Sequence, residues 1–185
     1  MDIHITYRST RRLSMRIGQG GEVRVSAPIG CPREVIENFI EKHRDWITKA
    51  ITTTAERQKQ RQTFYDRLPL DTREQFDDAV RRTHELVLPM LEKYEKLMGV
   101  RHTGLHYSNT TSKWGSCVKR TGKLYFSVYL LLLPEWCVEH VVVHELAHLI
   151  EPNHSPRFHQ IVERYFPRWR EARAETKRIA AGFAN

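Results

Sequence analysis

Cysteine is scarce in this chain of 185 residues. Only Cys31, Cys117 and Cys137 occur, widely spaced and with no Cys-x-x-Cys pair. That argues against a disulfide framework and equally against a cysteine-rich zinc ribbon, so these read as reduced thiols, packed rather than reactive. Long apolar runs are missing too. Nothing approaches the roughly 20 residues that a membrane-spanning helix requires. The opening Met1-Asp2-Ile3-His4 alternates in polarity and has no signal-peptide stretch, so the expected location is the cytoplasm, without a membrane partner. No glycine-rich phosphate loop, internal repeat or low-complexity segment is found.

What is present suits a folded domain with a small appendage. Hydrophobic residues make up 40% and charged residues 28%, and the length can bury a substantial core. The net charge of +8 admits anionic partners, nucleotide or nucleic acid included. The excess is scattered, however, over Arg8, Arg11 and Arg12, then Arg57, Lys59 and Arg61, Arg81 and Arg82, and Arg164 to Arg173. Solvated helix faces account for such a distribution better than a nucleic-acid footprint does.

The first segment alternates as strands do: Ile3, Ile5 and Tyr7, then Leu13, Met15 and Ile17, then Val23, Val25 and Ala27 after Gly18-Gln19-Gly20-Gly21. This predicts a β-meander of two or three strands, or a hairpin, ended by Pro28 and Gly30. From Pro32, apolar residues at helical spacing (Val35, Ile36, Phe39, Ile40, Trp46, Ile47) predict one helix to about residue 60. Residues 52–70 read as an exposed linker or a solvent-facing helical extension. A second helix begins near Thr72, where Thr72 and Gln75 have capping-box spacing, and ends at Gly99, with Pro89 expected to kink it. From 101 to 130 the pattern returns to β, with a turn at Arg120-Thr121-Gly122. Pro134 and Glu135 open a third helix, and Ser155-Pro156 a fourth.

That third helix carries His144-Glu145-Leu146-Ala147-His148, an H-E-x-x-H pattern. Four residues turn an α-helix by roughly 400°, so both imidazoles share one face about 6 Å apart in rise, within reach of one zinc ion. Glu145 points about 100° around the helix, flanking the metal, where it can take a proton from the attacking water. Upstream lie Val138, Val141, Val142 and Val143. A surface helix carrying the pattern by chance would lack this apolar flank, and unpaired ionisable groups in a buried helix are costly unless a metal holds them. His154, past the expected helix end at Glu151-Pro152-Asn153, is the favoured third ligand, with Glu151, His159 and Glu163 as competitors. His140 pairs with His144 at four-residue spacing but has no following glutamate, which fits a solvated or supporting role.

Val142-Val143-His144-Glu145-Leu146-Ala147-His148, with Asn153-His154-Ser155 and Phe158, resembles the metal-binding region of the YgjP-like family of predicted zinc metallohydrolases, related to the SprT-like and WLM-type metallopeptidases. Trp114-Gly115-Ser116-Cys117 and the Arg11-Arg12-Leu13-Ser14 hairpin extend the resemblance over nearly the whole chain. Lys113, Ser127 and His159 depart from the usual arginine, asparagine and tryptophan. The resemblance implies an α+β fold with an N-terminal β-hairpin and helix over 1–65 and a zincin-like catalytic domain over 66–185. It also implies His154 as third ligand. Trp114, Gly115, Ser116 and Cys117 are expected to line the substrate cleft, where Gly115 allows close backbone approach.

The expected function is a zinc-dependent metallopeptidase with one zinc per chain, acting on peptide or protein, with Glu145 catalytic and His144, His148 and His154 holding the metal. The alternatives are a metal-dependent nucleotide phosphohydrolase and a DNA-associated zinc protein acting on a bound partner.

Overall fold

Alternation in the first thirty residues becomes a three-stranded sheet: β1 (Ile3–Arg8), β2 (Ser14–Ile17) and β3 (Val23–Pro28). The structure, a computed structural model, describes residues 2–18 and 20–181; Gln19 of the expected glycine-rich turn lies outside the described residues. β2 and β3 form the expected antiparallel hairpin. β1 does not continue a meander. It joins the far side of β3 in parallel, giving the order β1-β3-β2. The central strand β3 has the cleanest alternation, and its Val23, Val25 and Ala27 are fully buried, as a strand paired on both edges and covered on one face should be.

The helix expected from Pro32 to about residue 60 is two helices, α1 (Arg33–Lys42) and α2 (Arg44–Tyr65). The break is at His43, whose backbone leaves helical geometry at φ −108° and ψ 15°. Its Nδ1–H donates to the Phe39 carbonyl at 2.7 Å and its ring rests on the Phe39 ring. The apolar periodicity runs through this point unchanged, so spacing alone did not register the break. Ile36 and Ile47, one from each helix, complete the buried cluster with β3. Residues 52–65 continue α2 as a largely exposed helix and are not a linker, although Phe64 and Tyr65 at its end are buried.

The chain divides into Met1–Gln62 and Thr63–Asn185. In the second unit α3 (Arg73–Met98) starts at the expected capping box: Thr72 Oγ1 accepts the Gln75 N–H and Gln75 Oε1 accepts the Thr72 N–H. It runs through Pro89 and stops at Gly99, which takes a left-handed φ of 67° that glycine adopts at no steric cost. A second sheet follows: β4 (Gly104–Ser108), β5 (Gly115–Val118) and β6 (Lys123–Ser127). Its order is β4-β6-β5, with β4 parallel and β5 antiparallel to β6. Ser127 then caps a short 3₁₀ turn over Val128–Leu132, donating to the Thr110 carbonyl and accepting the Tyr129 N–H.

α4 (Glu135–Ile150) is the hub of this unit, packing on α3, β5, α5 (Pro156–Tyr165) and α6 (Trp169–Ala180). Val138, Val142, Val143, Leu146 and Ala147 have no exposed surface. At 20–33 cal/mol per Å² of apolar area, each of the three valines and the leucine contributes roughly 1.5–3 kcal/mol. Glu139 ties α4 to α3 by accepting from Tyr94 Oη at 2.8 Å and Lys93 Nζ at 2.7 Å. α6 had no counterpart among the elements read from the sequence. Its start at Trp169 follows Pro167 by two residues, a weak signal in a segment dominated by arginine. Among the described residues no helix is long and apolar enough to cross a membrane.

Thr72→Ala should lower stability by about 1 kcal/mol, the usual cost of losing an N-cap side chain. The denaturant midpoint of a transition followed by far-ultraviolet circular dichroism measures it, and an unchanged midpoint would show that the capping box adds nothing in solution.

Candidate metal centre

α4 brings His144 and His148 to one face, their ring centroids 4.9 Å apart, as a four-residue step dictates. The helix ends at Glu151, and Lys119 Nζ donates to the free Ile150 carbonyl at 2.9 Å, anchoring the end of the helix. The link that follows is short. Ser155 accepts the Phe158 N–H and Pro156 occupies the first turn of α5, so His154 is held between two fixed helix ends. Its Nε2 comes within 3.0 Å of His144 Nε2. Nitrogens of His144, His148 and His154 all lie within 4.8 Å of one another, and they form the one cluster of three or more histidine, cysteine or acidic side chains that could hold a metal among the described residues.

The donor chemistry fits a zinc ion. Two imidazole nitrogens that each lie at 2.0–2.1 Å from a tetrahedral zinc are about 3.3 Å apart, close to the His144–His154 separation. Burial also favours, for His144 and His148, the neutral form that a ligand needs. Burial lowers the His144 pKa to about 3, with further contributions from His148, His140, His154 and Arg173. Burial lowers His148 as well. His148 Nδ1–H donates to the Glu151 carbonyl at 3.3 Å, which leaves Nε2 as its free lone pair.

Beneath the three imidazoles lies Phe158, fully buried, with ring centroids 4.8, 4.5 and 4.8 Å from those of His144, His148 and His154. The sequence motif includes Phe158, but its role as a common seat for the three rings is visible only once α5 is docked.

Glu145 is 4% exposed, and its Oε2 has no hydrogen-bond partner among the described residues. Burial raises its pKa to about 8, against a smaller opposing pull from Lys113. A dication beside it would reverse that direction, favouring the carboxylate. The room for this side chain is made by β5. A Cβ placed on Gly115 would stand 2.7 Å from Glu145 Cγ and 2.8 Å from Oε1, so the glycine accommodates the glutamate itself. The close approach expected at Gly115 is therefore made by a side chain of this chain.

The competing residues fall elsewhere. Glu163 Oε1 accepts from Arg170 at 2.7 Å. Glu151 turns its carboxylate to the Asn153 N–H. His159 lies against Trp169, rings nearly parallel at 5.0 Å. His140 is buried, its Nδ1 unpartnered, and burial lowers its pKa to about 4, so a solvated role does not apply.

Two hollows meet at the cluster. The larger, about 460 Å³, reaches Trp114 and Gly115 together with His140 and Trp169. The smaller, about 350 Å³, reaches Gly115, Ser116 and Cys117 with His148. All four residues of the Trp114–Cys117 run thus border one or both. Burial, with Glu145 close by, pushes the Cys117 thiol up to about 11, far from the thiolate a nucleophile requires.

Residues 11–70 and 66–179 match the family described as YgjP-like, metallopeptidase domain. Among solved structures, the metallopeptidase zymogen of Pyrococcus abyssi abylysin is similar at 26% identity. It covers 49% of this chain and 93% of its own, with a TM-score of 0.44. The zymogen of Methanocaldococcus jannaschii jannalysin is similar at 18% identity, over 50% of this chain and 88% of its own, with a TM-score of 0.40. No curated protein matches the sequence.

Gly115→Ala should displace the Glu145 carboxylate and cut turnover by about 10²-fold, the scale of an ångström-sized misplacement. Metal content should stay intact, because no imidazole moves. Elemental analysis beside a rate measurement separates the two, and full activity in this variant would show that the contact relaxes without consequence.

Proposed function

The chain belongs to the YgjP-like metallopeptidase family, and from that premise we propose that it hydrolyses peptide bonds with a zinc ion held by His144, His148 and His154 and with Glu145 as general base. One observation carries this reading: three imidazole nitrogens within 4.8 Å of one another, beside a buried glutamate with an unpartnered oxygen. A zinc ion with three protein ligands and an open position supplies Lewis-acid chemistry, polarising the scissile carbonyl and making water acidic enough to attack at neutral pH.

The chain's own residues do the rest. Phe158 and the Ser155–Pro156 turn hold His154 in place, so little entropy is lost when the ligand set closes. The His148–Glu151 hydrogen bond fixes a tautomer with Nε2 available. Glu145 takes the proton of the attacking water on its carboxylate and returns it to the leaving amine nitrogen. The apolar wall of Val141 and Val162 limits bulk water around that carboxylate, which strengthens each charge interaction in the cleft. Cys117, Ser116, Gly115 and Trp114 serve as cleft lining.

Protein purified without added metal should contain one zinc per chain by elemental analysis; two, or none, would sink the single-site reading. Glu145→Gln should keep that zinc and lose about 10² to 10⁴ in peptide turnover. If the variant loses its metal instead, Glu145 is a ligand.

His154→Ala should weaken zinc binding in a chelator competition by more than the roughly 10- to 100-fold that outer partners of a metal site typically account for. Glu163→Ala and His159→Ala should bind nearly as the unmodified protein does. Loss of metal from Glu163→Ala with retention in His154→Ala would transfer the third position to a glutamate.

A further inference from the structure

The larger hollow carries positive charge that no salt bridge among the described residues neutralises. Lys113 and Arg173 both line it, and neither forms a salt bridge among the described residues, although Lys113 exerts a weaker electrostatic pull on Glu145. The contrast along α6 is informative. Arg168 pairs with Glu171, Arg170 with Glu163 and Arg178 with Glu175. Arg173, which faces the hollow, lacks such a pair. Among the described residues the only acidic side chain on the wall is Glu145, which the proposed hydrolysis already employs.

A second observation points the same way. Four buried side-chain polar atoms lack a hydrogen-bond partner among the described residues, and three belong to residues of this wall: Glu145 Oε2, an acceptor, His140 Nδ1, and Trp169 Nε1, whose N–H is the fixed donor. His140 and Trp169 are 7% and 8% exposed. An indole N–H can only donate, and a buried donor without an acceptor costs about 1–3 kcal/mol. The Trp169 ring also stacks on His159 at 5.0 Å, and the Arg170 guanidinium lies 4.5 Å from its centroid. A volume of about 460 Å³ lies within the roughly 300–1,000 Å³ of small-ligand pockets. Two cations and a buried indole donor stand around one hollow against a single acidic side chain, Glu145, and so favour an anionic group there.

We propose that this hollow is the specificity subsite of the peptidase and that it takes a carboxylate of the substrate, held by Lys113 and Arg173, on a residue beside the scissile bond. The assignment rests on the peptidase reading above for the kind of substrate, and on the unpaired charges for the group selected. Peptides offer a carboxylate from two sources, the free C-terminus and an aspartate or glutamate side chain.

The test uses zinc-loaded Glu145→Gln protein, so that binding is read without turnover, followed by the change in intrinsic fluorescence of the four tryptophans, of which Trp114 and Trp169 line the hollow. One hexapeptide is compared as its C-terminal acid and its C-terminal amide. A second, amidated throughout, is compared with an internal Glu or Gln. In at least one pair the charged form should bind about tenfold tighter, the scale of one charge-assisted contact. That advantage should fall below about twofold when Arg173→Gln or Lys113→Gln is added. The pair that responds names the source of the carboxylate.

Equal affinity within both pairs overturns the proposal, as does a preference that survives both added substitutions, which would place the carboxylate on the metal instead. Inorganic pyrophosphate binding tighter than either charged peptide, and lost with the same substitutions, would also overturn it by assigning the hollow to phosphates. Peptide cleavage by the unmodified protein, assayed in parallel, reads the hydrolytic proposal separately.

Discussion

Burial of α4 is the constraint on which the rest of the site depends. The helix enters the core on Val138, Val142, Leu146 and Ala147, and their alternation with His144, Glu145 and His148 carries three ionisable groups in with them. Taking such groups out of water is unfavourable, and the direction of each shift follows from it: imidazoles are driven neutral and the carboxyl is driven protonated. An apo site of this kind holds unsatisfied lone pairs facing one another. A dication would satisfy the imidazole lone pairs and favour the glutamate anion in one event, which links metal binding to the stability of the unit that holds it.

Each neighbour of α4 contributes one element that α4 cannot supply. β5 contributes the absence of a side chain at Gly115, without which Glu145 would have no place. α5 contributes Phe158 as a seat for all three imidazoles, and the turn before it contributes His154. α6 contributes Arg173 and the Trp169 wall of the larger hollow. The site is thus built from segments spread over some sixty residues (113–173) whose common point is one helix.

The first unit has its own small core of Val23, Val25, Ala27, Ile36 and Ile47, and nothing in the proposed chemistry draws on it. Arg8, Arg11 and Arg12 sit there on exposed positions. Charge of this kind, at the end of β1 and in the connection from β1 to β2, carries solubility as readily as recognition.

Much of the site was legible in the sequence because its information is local. The His144–His148 spacing is a property of helical pitch, the Thr72–Gln75 cap a property of one turn, and the strand alternation in β3 a property of the pleat. Pro152, Asn153, Ser155 and Pro156 bracket His154 closely enough for a turn to be read there. Other features had no local signature. The break at His43 coincides with a side-chain hydrogen bond to the Phe39 carbonyl, within a periodicity that does not change. The insertion of β3 between β1 and β2 depends on a parallel pairing between segments separated by a whole strand. Gly115 by itself signals only that something approaches the backbone closely, and the docking of α4 on β5 brings Glu145 there. Arg173 resembles its paired neighbours on α6 until that helix is placed, since whether a charge is solvated, paired or left facing a hollow is set by what lies across from it. Helical and strand periodicity, caps and motif spacing are fixed by bonds and pitch; which surfaces meet, and which charges they leave unpaired, is decided by packing between segments far apart in the chain.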